Sequence, residues 1–129
     1  MSRVIEILKI IGAEKIIEAG ASGIPLCRES ILLNYPDFNL NNTPYDILDK
    51  SCDCFVALQV WEHLDKQVEA FQEVRRISRS AILSFPYRWT HGDARHRGIN
   101  HAKIMEWSSG LEPVHVEHID SRAIYFWRF

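Results

Sequence analysis

The sequence is poor in the residues that commit a chain to a specialised class. Its three cysteines, Cys27, Cys52 and Cys54, cannot all pair, so a disulfide-stapled secreted scaffold is excluded and a reducing, cytoplasmic setting is expected. No apolar run approaches the roughly 20 residues that cross a bilayer, which argues against a membrane partner. The first residues, MSRVIEILKIIGAEK, mix apolar residues at helical spacing with charges, predicting an amphipathic helix in place of a signal peptide. Charge of one sign is scarce too. A net charge of -2 and a pI near 6.3 give no broad electrostatic surface for nucleic acid. Repeats and low-complexity segments are absent. What remains is ordinary globular material, 47% hydrophobic and 25% charged, enough for one domain spanning residues 1–129.

The apolar pattern predicts a helix over 3–11, strands over 15–19 and 30–34, and a buried strand opening at Asp53. A helix follows over 65–77, with Asp65 as its N-cap and Val68, Phe71, Val74 and Ile77 on one stripe. A strand over 81–86 and a helix over 100–109, closed by Gly110, come next. The chain ends in two strands, 114–119 and 123–129, separated by the short turn that suits an antiparallel hairpin. Residues 35–51 read as a loop rich in Pro, Asn and Asp. Cys52 and Cys54 are expected on one side of their strand, and Tyr125, Trp127 and Phe129 form a row that enters the core or meets a partner.

Two segments place polar residues directly after apolar runs, where ligands bind in open α/β sheets. The first is KIIEAGASG, residues 15–23; the second is DCFVALQVWEHL, residues 53–64. Together they resemble the class I S-adenosylmethionine-dependent methyltransferases, in particular the small-molecule, type 11-like branch. There an E-x-G-x-G-x-G loop is followed by a strand ending in L-x-V-x-E-H-L. The second motif stands here as Leu58, Gln59, Val60, Trp61, Glu62, His63 and Leu64, on a strand opened by Asp53. In the first, Ser22 and Ile24 stand where the second and third glycines of the pattern fall. The resemblance continues through the helix at 65–77 and the strand closed by Pro86.

That resemblance implies an α/β fold with a Rossmann-like, mostly parallel sheet and a C-terminal antiparallel hairpin. The sheet is expected to be narrower than usual, because residues 24–51 offer one strand and a loop where the family has strand, helix and strand. An uncovered edge would suit a homodimer. S-adenosylmethionine is the implied cofactor, and methyl transfer to a small polar acceptor the implied activity. Glu18 would lie near the methionine ammonium, with Gly20, Ser22 and Gly23 letting the backbone approach closely. Gln59 and Val60 would flank the methionine end, and residues 41–48 the adenine. Asp37 is the candidate for the ribose hydroxyls, with Asn39 and Asp46 as alternatives.

Glu62 and His63 would sit at the mouth of the site, His63 either as a general base or as a structural histidine. The polar segment 87–101 follows a strand end, and its Tyr87, Arg88, His91 and His96 are candidates to contact the acceptor. His91, Asp93 and His96 are nitrogen and oxygen donors but match no standard zinc spacing, so no metal site is expected. A different reading gives the chain the same fold without turnover, as a cofactor-binding or protein-interaction module, in keeping with the altered glycine loop.

Overall fold

The computed structural model describes residues 2–20, 25–27 and 29–129. Helix α1 (Ser2–Ile11) leads into strands β1 (Ile16–Ala19), β2 (Ile31–Leu33) and β3 (Cys54–Leu58). A single 3-10 turn (Trp61–His63) separates β3 from α2 (Gln67–Ile77). Strand β4 (Ser80–Pro86), helix α3 (His101–Trp107) and the strands β5 (His115–Ile119) and β6 (Arg122–Arg128) complete the order. Among the described residues the strands form one sheet in the order β2-β1-β3-β4-β6-β5. The first four are parallel; β6 runs antiparallel to β4, and β5 antiparallel to β6.

Every residue of β1 and β4 is buried, as parallel strands covered on both faces must be. The two-residue period divides the core into layers. Cys54, Val56, Ile82, Ile124 and Phe126 pack against Val4, Ile7 and Leu8 of α1. Phe55, Ala57, Leu83, Phe85, Tyr125 and Trp127 face the opposite way, toward Phe71, Val74 and Ile77 of α2 and Ile104 and Trp107 of α3. The aromatic row of β6 is therefore core, with Trp127 only 1% exposed and its ring 5.0 Å from that of Phe71. Arg3 fixes α1 against β5 by donating to both carboxylate oxygens of Glu117, at 2.8 Å from its Nε.

Two local expectations change. Cys52 and Cys54 join opposite core layers, because the chain turns at Asp53 before β3 begins. The Asp53 carboxylate accepts the N–H groups of Glu14 and Lys15 at 2.9 and 2.8 Å, tying the start of β3 to the start of β1. All three cysteines are free thiols. Asp65 does not cap α2, which starts two residues later; its carboxylate instead meets Arg95 at 3.2 Å. The N–H groups of Asp65 and Lys66 are taken by the Asn41 side chain, at 2.8 and 3.0 Å, from the loop after β2.

That loop lies on α2 and is held there by polar contacts. Arg76 donates to the carbonyls of Tyr45 and Ile47 and to Asp49, while Glu73 accepts the Tyr45 N–H at 2.7 Å. Tyr45 is buried against the core and donates its hydroxyl to the Leu40 carbonyl. The loop thus covers sheet and helix where the family pattern has a further helix and strand, as the sequence predicts, and β2 is left as an edge of the sheet, with Ile31 48% exposed. No helix among the described residues is long and apolar enough to cross a membrane.

Candidate active site

The carboxyl ends of β1 and β3 lie side by side, with Ala19 opposite Ala57. Gly20 follows β1 at φ +72, and a Cβ built there would stand 2.6 Å from Val60 Cγ2. Backbone conformation and close approach both require glycine at this point. Gln59, next after β3, has φ +56, an uncommon conformation for a non-glycine residue. Its N–H is held by the carbonyl and hydroxyl oxygens of Ser84, at 3.0 and 3.1 Å. Ser84, near the end of β4, is thus a site residue that the sequence reading missed. A polar residue two before the strand-closing proline was its only signal.

Glu18 is buried at the end of β1, 3% exposed. Its carboxylate accepts the Leu26 N–H on both oxygens at 3.0 Å, and the Cys27 N–H at 3.4 Å, bracing the chain where it returns from the glycine loop. Further lone pairs on that carboxylate remain available. Ser22 and Gly23 lie outside the described residues. Asp37 is exposed in the turn after β2, which is closed by the Phe38 N–H on the Asn34 carbonyl at 2.9 Å.

Glu62 and His63 occupy the 3-10 turn directly after Val60, and they diverge. The Glu62 side chain has no exposure, while that of His63 is 51% exposed. Neither Glu62 oxygen has a hydrogen-bond partner, and burial pushes its carboxyl up to about 7. His63 is held below the ordinary imidazole range, first by burial and then by the neighbouring His96. The two rings meet edge to face at 4.9 Å. His96 Nδ1 is 2.7 Å from Asp93 Oδ1, and Arg95 donates to the His63 carbonyl at 2.5 Å. The loop after β4 is in this way folded back onto the turn after β3.

The other acceptor candidates divide. His91 stacks on Trp89 at 4.6 Å, and Trp89 in turn donates its indole N–H to the Ser121 carbonyl at the β5–β6 turn. Tyr87 sits against that hairpin, its ring 4.7 Å from His118, and the Arg88 guanidinium lies over the Tyr87 ring at 5.4 Å. His96 therefore joins Glu62 and His63, whereas Tyr87 and Arg88 belong to the hairpin side. Trp89 links the two groups, since it also lies 5.9 Å from the His96 ring.

No protein-family model and no curated protein matches the sequence. Solved structures do match in shape. The N-terminal domain of EvdMO1, crystallised in the presence of SAH and D-fucose, superposes with a TM-score of 0.61 at 13% identity, over 98% of this chain and 81% of that one. The methyltransferase domain of bacterial CtHen1-CN gives 0.63 at 13% identity, over 99% and 96% of the two chains. A SAM-dependent methyltransferase from Aquifex aeolicus gives 0.62 at 10% identity, over 94% and 86%. The fold is that of the class I methyltransferases. In such a sheet the crevice outside the carboxyl ends of β1, β3 and β4 is the place for a ligand. Gly20, Gln59, Val60 and Ser84 all stand there.

Proposed function

We propose that this chain transfers a methyl group from S-adenosylmethionine to a small polar acceptor. The observation that carries the reading is the junction of Gly20 with Val60 and of Gln59 with Ser84, which brings three strand ends together around bare backbone. Residue by residue, the resemblance gives Glu18, Gly20, Ser22, Gly23, Asp37, Gln59 and Val60 to the cofactor. Gly20 fits because its left-handed backbone turns the chain at the end of β1 in close contact with Val60. Glu18 fits as the brace of the returning loop. S-adenosylmethionine, when bound, supplies an electrophilic methyl group.

The remaining work belongs to positioning and to one proton. His63, its imidazole biased toward the neutral form and half open to solvent, is suited to accept a proton from a hydroxyl or amine. The resemblance gives Glu62, Tyr87, Arg88, His91 and His96 to the acceptor, of which His96 lies beside His63 and Glu62. A small polar acceptor suits the approximately 410 Å³ cavity beside Glu62, whose wall includes Arg95, Arg97 and Lys103. The exposed β2 edge, with Ile31 outward, is the face through which two copies would pair, and the free thiols suit the cytoplasm.

Calorimetric titration with S-adenosylhomocysteine tests the reading. Saturable binding of one ligand per chain is expected, weakened about tenfold in Asp37→Ala, the loss of about 1.4 kcal/mol that hydrogen bonds to a charged group supply. Asp37 is exposed, so the substitution leaves the core intact. Undiminished binding in that variant would move the ribose contact to Asn39 or Asp46. Absence of binding at millimolar ligand would reject the cofactor reading altogether.

A further inference from the structure

Among the described residues, Glu62, His63 and His96 each present one ligand atom within 4.8 Å of the others. Glu62 is the telling member. Both of its oxygens are buried without a donor, an arrangement that costs free energy unless a cation or proton satisfies it. The nearest candidate, His63 Nε2, is 3.8 Å from Glu62 Oε2, too far for a hydrogen bond but close for two ligands of one ion. Ligands at about 2.0–2.1 Å from a tetrahedral zinc stand about 3.3 Å apart, so closing the set draws this pair in by about 0.5 Å and any pair, all within 4.8 Å, by no more than about 1.5 Å.

His96 is prepared for the same task. Asp93 engages its Nδ1 at 2.7 Å and is itself held by the Arg95 N–H at 2.9 Å. A carboxylate behind an imidazole fixes the ring and directs Nε2 outward, the arrangement that supports histidine ligands of metals. We propose that Glu62, His63 and His96 together bind one divalent transition-metal ion.

Two imidazoles and one carboxylate suit zinc or cobalt and disfavour magnesium and calcium, which take oxygen ligands. The set differs from the His91, Asp93 and His96 that sequence proximity groups together. His91 is drawn off onto Trp89, and Asp93 stands behind His96, while the buried carboxylate comes from the turn after β3. If the methyl-transfer reading holds, His63 would then serve as a ligand in place of acting as the base, and an acceptor hydroxyl on the ion would lose its proton more readily. Ion binding itself does not rest on that reading.

The test uses the untagged full chain, stripped with chelator, without S-adenosylhomocysteine. Cobalt(II) is titrated by visible absorption and zinc(II) by calorimetry. One ion per chain is expected, with affinity at least about tenfold lower in Glu62→Gln and in His96→Ala. His115→Ala, on β5, should leave it unchanged. Circular dichroism of each variant separates lost ligation from lost fold, and the glutamine keeps the volume of the buried side chain. No stoichiometric binding at millimolar ion, or binding that survives both ligand substitutions in folded protein, overturns the proposal. Separate titration with S-adenosylhomocysteine in the absence of metal lets the cofactor reading fail or stand by itself.

Discussion

The contact between Gly20 and Val60 joins the two segments that carry the resemblance, and its energetics can be separated into parts. Gly20→Ala places a Cβ at φ +72, costing about 1–2 kcal/mol for the left-handed conformation of an L residue. The same Cβ would meet Val60 Cγ2 at 2.6 Å, and overpacking of this kind costs a further 1–3 kcal/mol or so. Val60→Ala removes that methyl and leaves Val60 Cβ at 3.9 Å, an ordinary contact. Gly20→Ala should therefore cost about 2–5 kcal/mol in the native background but only about 1–2 kcal/mol beside Val60→Ala. Urea unfolding of the four proteins of the cycle measures this directly, provided the m-values agree. A coupling of about 1–3 kcal/mol is expected. Additivity within about 0.5 kcal/mol would refute the close approach and, with it, the packing of the glycine turn against the end of β3.

Two further substitutions probe how the site is supported. Asn41→Ala removes the acceptor of the Asp65 and Lys66 N–H groups and should destabilise the protein by about 1 kcal/mol, as loss of a helix cap does, with faster amide exchange at both positions. Unchanged exchange would show that the loop does not hold the start of α2. Asp53→Ala should cost about 1–2 kcal/mol near neutral pH, the worth of hydrogen bonds to a charged group. Because the N–H groups of Lys15 and Glu14 depress the Asp53 pKa, its contribution is complete above the ordinary aspartate range and fades as pH falls through the depressed value. The gap between native and variant stabilities should therefore narrow below about pH 4, and a gap that is constant down to pH 2 or so would contradict the assignment.

Much of this architecture was legible from residue order. The double apolar run Ile16–Ile17 announced a strand buried on both faces, and the short Asp120–Arg122 spacing announced the hairpin. The Phe71, Val74 and Ile77 stripe placed α2 on the sheet. These are local signals, carried by periodicity and turn chemistry within a few residues. Errors arose where a distant partner competed with a local one. Asp65 has the chemistry of a cap, but Asn41, 24 positions earlier, takes the N–H groups of Asp65 and Lys66, and the Asp65 carboxylate turns to Arg95. Cys52 and Cys54 obey the strand period only if the strand includes them both, and the Asp53 contact to the start of β1 ends it sooner.

The same division runs through the candidate site. The sequence by itself determined which residues stand at strand ends, since an apolar run followed by Glu18 and Gly20, or by Gln59 to His63, marks where a buried strand must stop and meet solvent. It could not determine which of those residues would be satisfied. Glu18 and Glu62 look alike on paper, each an acid just after or within the end of a buried run. Folding gives Glu18 the N–H groups of Leu26 and Cys27, and leaves Glu62 enclosed with neither oxygen bonded. Likewise, only the return of the loop after β4, with Arg95 on the His63 carbonyl, brings His96 to His63 across 33 positions of chain. Periodicity fixes where a side chain leaves the backbone; the donors and charges it meets come from elements distant in sequence, and those exist only once the sheet has closed.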